Sequence, residues 1–226
     1  MTDLVILVPS RGRPAAAHEL LDVVNATVSP FSPVALRFIV DEGDETAGSY
    51  PIDHTWVVPG GSMVIALNEG SQMALDVFPD AKAFAFMGDD HRPRTVDWDR
   101  SYIEALDAMG GTGLVYGNDL LQGARIPTQG LLSTDIIRAL GWFAPPGFRH
   151  LYVDDAWLAI GNAINRTTYL PNVVVEHVHP MGGQVAWDEG YERVNSTEVA
   201  SHDQLEFHRW REQDLRAIKD VLLELL

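Results

Sequence analysis

Four short apolar runs, each closed by polar or glycine residues, constrain this chain more than any other feature. They read "LVILVP" (4–9), "VALRFIV" (34–40), "HTWVV" (54–58) and "AKAFAFM" (81–87). The first is apolar without interruption, the pattern of a strand covered on both faces. Between the first two lies "AAAHELLDVVNA" (15–26), which has helical spacing, and a second helix is expected from about Ser62 to Phe78. This βαββαβ opening predicts an α/β layered domain with a largely parallel sheet.

The second half is more mixed. "TVDWDRSYIEALDAM" (95–109) reads as a helix capped by Thr95, and "GLVYGND" (113–119) and "TQGLLS" (128–133) as short strands. "TDIIRALGWF" (134–143) is expected to be a short helix, "APPGFRH" (144–150) a loop, and "YVDDAWLAIGNAI" (152–164) a helix with two acids in its first turn. "TTYLPNVVVEHVHP" (167–180) reads as one or two strands split by Pro171, and residues 181–200 as a flexible loop. Residues 201–226 are expected to form one amphipathic helix, with Ser201 and Gln204 as a capping box and Ile218, Val221, Leu222 and Leu225 as its apolar stripe. Packing on the domain is its first expected role and homodimerisation its second. No repeat or linker divides the chain, so one domain is expected.

Composition narrows the function classes. With 32 acidic against 16 basic residues the formal charge is −16, a surface that disfavours tight binding to a polyanion. Fourteen of the basic residues are Arg, whose planar fork suits phosphate and carboxylate, although genome composition gives the same bias. The absence of cysteine removes disulfides, thiolate metal sites and cysteine nucleophiles. No apolar run approaches the roughly 18 residues of a membrane span, and the opening apolar stretch is too short for a secretory leader. A cytoplasmic protein without a membrane partner is the expectation.

In open α/β sheets ligands bind beyond the carboxyl ends of the strands. Those ends carry Pro9, Ser10, Arg11, Gly12 and Arg13, then Asp41, Glu42 and Asp44, then Gly60, Gly61 and Ser62, and last Asp89, Asp90 and His91. The adjacent aspartates of "FMGDD" repel one another, so either an exposed turn or a bound cation must relieve them. Hard carboxylate oxygens suit Mg²⁺ or Mn²⁺. In "VVVEHVHP" (173–180) His177 and His179 are two apart and share one face of a strand, which adds imidazole to the candidate ligand set and favours Mn²⁺. In "YVDDAW" Asp154 or Asp155 is a candidate general base, set against ordinary capping of a helix start.

The order "VILVPSRGRP", "FIVDEGDE", "GGSMVIALNEG", "FAFMGDD", "YVDDAW", "VEHVHP" resembles the glycosyltransferase 2-like group, and within it the small proteins encoded by bacteriophages. The resemblance covers residues 1–195, leaving 196–226 as a helix packed on the same domain. It implies a GT-A fold, a Rossmann-like mixed sheet flanked by helices, and transfer of a sugar from a nucleotide-diphosphate donor, UDP-sugar first, to an acceptor hydroxyl. By the same resemblance Pro9, Ser10, Arg11, Arg13, Asp41 and Asn68 serve the nucleotide. Asp89 meets the ribose or metal, and Asp90 with His179 or His177 holds Mn²⁺ or Mg²⁺. The implied base is Asp155 first and Asp154 second, in an inverting single displacement. The acceptor is a modified nucleobase, a virion protein or a glycan. One departure stands out: Gly88 occupies a position where such proteins commonly have an acid. Two rival readings use the same residues, a metal-dependent hydrolase and a non-catalytic nucleotide-sugar binder.

Overall fold

Strand β1 (Leu4–Ser10) shows why a continuous apolar run suits the centre of this sheet. Leu4, Ile6 and Val8 join one hydrophobic core, while Val5 and Leu7 join the other across the sheet. Each of these five is fully buried, and each such side chain contributes about 1.5–3 kcal/mol of transfer free energy. The computed structural model describes residues 2–183 and 185–226.

Helix α1 (Pro14–Thr27) leads to β2 (Val34–Asp41) and β3 (Thr55–Val58). Helix α2 (Met63–Val77) follows, starting from Ser62, whose hydroxyl accepts from the Ile65 N–H. Then come β4 (Ala83–Phe86), β5 (His91–Pro93) and α3 (Trp98–Ala108). The next elements are β6 (Leu114–Asn118), β7 (Gly130–Ser133), α4 (Thr134–Leu140) and α5 (Val153–Ala163). The chain closes with β8 (Thr167–His177), α6 (Glu189–Val194), α7 (Thr197–Gln213) and α8 (Leu215–Leu223).

The eight strands form one sheet in the order β3-β2-β1-β4-β7-β6-β8-β5. The neighbours among β1 to β4 are parallel, β7 is antiparallel to both β4 and β6, β6 and β8 run parallel, and β5 pairs antiparallel with β8. The parallel half sends the ends of β1, β2 and β4 to one rim. Strand β5 is only three residues long, yet it sets His91 opposite His177 in register.

Several local expectations are corrected. Thr95 does not cap α3; its hydroxyl accepts from the Val174 N–H at 2.9 Å and ties the loop to β8. Pro171 does not split β8, because a register irregularity against β6 between Gly117 and Asn118 absorbs it. Residues 181–200 are not a featureless loop. They hold the end of a 3₁₀ turn (Pro180–Gly182), all of α6 and the start of α7; Gln184 lies outside the described residues. Asp188 starts α6 by accepting from the Tyr191 N–H at 2.9 Å.

The single C-terminal helix is in fact two, interrupted at Asp214. The cap is Ser196, which accepts from Val199, while Ser201 lies inside α7. Trp210 and Leu222 are buried in the core and Ile218 packs against it, but Val221 and Leu225 face solvent. Among the described residues no helix is long and apolar enough to cross a membrane.

Candidate active site

A cleft of about 1010 Å³ opens where the strands end. Its walls include Pro9, Ser10, Arg11, Arg13, Asp41 and Asn68. They also include Asp89, Asp90, His177, His179 and Asp154. The structure therefore brings together every site residue expected from sequence except Asp155.

On one side, Ser10 donates to Asp89 Oδ2 at 2.5 Å and shares a hydrogen bond with the Tyr50 hydroxyl at 3.0 Å. Arg13 Nη1 lies 3.3 Å from Asp89 Oδ1. Burial pushes the Asp89 carboxyl above its usual range and the charge of Asp90 adds to this, while Ser10 and Arg13 oppose it. Gly12 is in the left-handed region at φ +72°, the turn that lets its N–H donate to Asp44 at 2.8 Å. Arg11 and Asp41 form an ion pair of 3.1 Å at the half-open mouth. Asn68 is committed to structure: its Oδ1 accepts from the Phe143 and Ala144 N–H groups, and its Nδ2 donates to the Ala144 carbonyl. Its amide thus braces the 143–144 turn beside the cleft.

At the centre, Asp90, His91 and His177 place ligand-capable atoms all within 4.8 Å of one another. Asp90 Oδ1 is 3.3 Å from His91 Nδ1, and Asp90 Oδ2 is 3.4 Å from His177 Nε2. The two imidazole rings stack at 4.3 Å. Burial opposes ionisation of Asp90, but the His177 and His91 imidazoles beside it hold its carboxyl well below the usual carboxylate range. Burial, reinforced by His177, lowers the pKa of His91 and keeps that ring neutral. His91 Nδ1 accepts from the Gly88 N–H at 2.9 Å, and its buried Nε2 has no hydrogen-bond partner. The Asp90 carboxylate with the His91 and His177 imidazoles makes a mixed oxygen and nitrogen donor set of the kind that fits a divalent cation such as Mn²⁺.

This geometry changes two expectations. Of the two histidines left open, His177 lies in the cluster, and His91 joins it as a third member. Strand β8 ends at His177, so the two-residue alternation that would carry His179 onto the same face stops there. His179 remains on the cleft wall, its Nδ1 accepting from the Met181 N–H at 3.2 Å. The glycine at 88 also has a reason. A Cβ there would lie 2.5 Å from Asp90 Oδ1 and 3.1 Å from His91 Nδ1, so a side chain at this position would displace both.

On the far wall, Asp154 lines the cleft and Asp155 does not. Neighbouring residues of a helix point about 100° apart, so α5 can turn only one of the pair into the cleft. Burial, with repulsion from Asp155, pushes the Asp154 carboxyl up to about 6. The segment leading to it also borders the cleft, and burial lowers His150 to about 4.

Helix α6 closes the remaining side. The Tyr191 hydroxyl donates to Asp90 Oδ2 at 2.8 Å, and the Arg13 guanidinium lies 4.0 Å above the Tyr191 ring. Arg13 also grips both Asp188 oxygens at 2.6 Å. Trp187 is half exposed and meets His179 edge-on at 5.7 Å. Of the arginines near the aspartate pair in sequence, Arg92, Arg94 and Arg100 are paired with Glu19, Glu176 and Glu104, away from the cleft wall.

No protein-family model and no curated sequence matches the chain. Solved structures do match it in shape. A mannosyltransferase from Pyrobaculum calidifontis, in complex with GDP-Man and Mn²⁺, superposes with a TM-score of 0.64 at 14% identity, covering 97% of this chain and 72% of that one. Residues 1–349 of S. aureus TarS in complex with UDP give 0.57 at 11% identity, over 77% of this chain and 59% of that one. The catalytic domain of Drosophila β1,4-galactosyltransferase 7, in complex with xylobiose, gives 0.52 at 13%, over 84% and 78%. These likenesses define the class of fold: a GT-A nucleotide-diphospho-sugar transferase fold, with a mixed eight-stranded sheet flanked by helices.

Proposed function

We propose that the protein is a cation-dependent glycosyltransferase that moves a sugar from a nucleotide-diphosphate donor, UDP-sugar first, to an acceptor hydroxyl. The observation that carries this reading is the arrangement of one cleft: Ser10, Arg13 and Asp89 on one side, the Asp90–His91–His177 cluster between, and Asp154 opposite. The solved complexes of similar fold that contain GDP-Man with Mn²⁺, or UDP, support the choice of ligand class.

The residues divide the work by position. Pro9, Arg11 and Asp41 border the cleft where the base and ribose of a donor fit, and Asp89, oriented by Ser10 and Arg13, meets the ribose. Asp90, His91 and His177 would hold the cation, with His179 beside them. When bound, Mn²⁺ or Mg²⁺ supplies positive charge to the diphosphate as its negative charge grows on leaving. Asp154 takes the proton from the acceptor hydroxyl; that oxygen bonds to the anomeric carbon as the bond from that carbon to the phosphate oxygen breaks. One displacement of this kind inverts the anomeric centre. A carboxyl titrating at about 6 is ionised at neutral pH yet more basic than an ordinary aspartate, which suits a general base.

The test is incubation with Mn²⁺ and a panel of UDP- and GDP-sugars, with glycans, modified nucleosides and a virion protein as separate acceptor arms. Free nucleotide diphosphate and product mass are both read. Transfer to any arm supports the reading. Phosphoester hydrolysis without sugar transfer supports the hydrolase instead, and donor binding without turnover supports the binding-only protein.

A further inference from the structure

Asp203 is a fully buried carboxylate on α7, some fifty residues along the chain from the groups it holds. It accepts three consecutive backbone N–H groups: Arg149 on Oδ1 at 2.9 Å, then His150 and Leu151 on Oδ2 at 2.8 and 2.7 Å. His202 Nδ1 adds a contact to Oδ1 at 2.9 Å. A charge taken out of water is costly unless its oxygens are satisfied, and here both are.

What Asp203 holds is a wall of the cleft. Every residue from Pro146 to Asp154 lines it. Other α7 groups secure the same segment: Phe207 stacks on Tyr152 at 5.4 Å and meets Phe148 at 6.5 Å, while Trp210 meets Phe148 at 6.2 Å. Gly147 sits so close to α7 that a Cβ would lie 2.6 Å from Glu206 Oε1, in a backbone conformation (φ +99°) that side chains rarely adopt. The donor-side groups Ser10, Arg13 and Asp89 make none of these contacts.

We propose that Asp203 is a positioning residue for the acceptor. By fixing the backbone at 149–151 it sets the wall against which the acceptor lies and the approach to Asp154 three residues on. The inference rests on the glycosyltransfer reading and adds to it the device that aligns the acceptor hydroxyl. Misalignment here slows attack by the acceptor but leaves donor binding, and attack by water, intact. In that side reaction a water oxygen bonds to the anomeric carbon, the bond from that carbon to the phosphate oxygen breaks, and the proton lost by water passes to solvent or Asp154.

The experiment measures transfer and donor hydrolysis in parallel for the wild type, Asp203→Asn and Phe207→Leu, with circular dichroism on each. An asparagine turns an NH₂ toward one of the two sets of N–H donors that the carboxylate now accepts, so at least one hydrogen bond is lost in either orientation. Transfer kcat/KM for the acceptor is expected to fall about 10- to 100-fold in Asp203→Asn, the scale of a small misplacement near reacting atoms. Donor hydrolysis and the UDP Kd in Mn²⁺ stay near wild type, so the ratio of hydrolysis to transfer rises. Phe207→Leu moves the same ratio in the same direction, and it decides the matter if Asp203→Asn does not fold. Transfer and hydrolysis falling together, or transfer unchanged, overturns the positioning role. A wild type that consumes no donor with any acceptor instead refutes the glycosyltransfer reading, and the inference with it.

Discussion

Replacing Asp154 by Asn should slow the proposed sugar transfer and make the protein more stable, both for the same reason. The carboxyl titrates at about 6 because burial and Asp155 disfavour its charge. An unfolded chain returns it to the ordinary aspartate value of 3.8. The interval corresponds to roughly 3 kcal/mol at about 1.36 kcal/mol per pH unit. Asp154 is half-buried and lines the open cleft, so about 1–2 kcal/mol is the realistic figure.

The sign follows from the raised pKa. The folded state holds the proton more tightly, so the favourable contribution is complete below 3.8, declines between 3.8 and about 6, and is lost above. The stability of Asp154→Asn minus that of wild type should therefore rise across this window by about 1–2 kcal/mol and then level. Subtracting the two curves cancels every other titrating group that the substitution leaves alone. Denaturant unfolding at a series of pH values reads the difference. In the same variant kcat should fall about 10²- to 10⁴-fold, the span of a positioned general base, with donor affinity kept. Wild-type kcat should drop tenfold per pH unit below about 6, because a protonated Asp154 accepts nothing. A difference curve that is flat from pH 3.8 to 7, together with full activity in Asp154→Asn and loss in Asp155→Asn, would refute both the assignment and its electrostatic basis.

Further predictions concern the cation cluster. Tyr191→Phe removes the hydroxyl that donates to Asp90 Oδ2, freeing that oxygen. A hydrogen bond to a charged group contributes about 1.5–3 kcal/mol, so Mn²⁺ should bind about tenfold more tightly by calorimetric titration; weaker binding would show that the hydroxyl supports the site. His91→Ala should abolish Mn²⁺ binding to the free protein while His179→Ala lowers it only slightly, and the reverse order would return the ligand role to His179. Gly88→Ala places a methyl 2.5 Å from Asp90 Oδ1. The carboxylate must swing away, so Mn²⁺ affinity should fall at least tenfold with little change in Tm, which paramagnetic titration and thermal unfolding read separately.

Much of this was legible locally. A strand covered on both faces must be apolar without a break, so β1 and the strands beside it stand out in the sequence, and the rule that ligands gather at their carboxyl ends points to Ser10, Arg13, Asp89 and Asp90. His91 stood on the expected rim and Gly88 in the acidic motif, but neither was legible as shaping the ligand cluster. Their roles depend on β5 pairing with the end of β8, and a three-residue strand has too little pattern to announce itself. The order of preference between Asp154 and Asp155 likewise depends on the rotational phase of α5. Packing sets that phase, since Val153, Ala156, Trp157 and Ile160 must all face the core.

The C-terminal region shows the division most clearly. Its amphipathic pattern pointed to a helix that packs on the domain or, second, on another copy, but not to where it would break or what it would touch. Asp203 reads in sequence as one more acid in a polar helix. Only the folded chain lowers it onto the backbone of residues 149–151, where three N–H groups that no local structure satisfies need an acceptor. The sequence by itself determined the layered α/β class and the rim on which polar residues collect, because periodicity and strand burial are properties of neighbouring residues. Which residues meet as candidate cation ligands, candidate base and proposed acceptor wall was decided by tertiary structure, because each depends on pairing across long separations in the chain and on directions that packing alone sets.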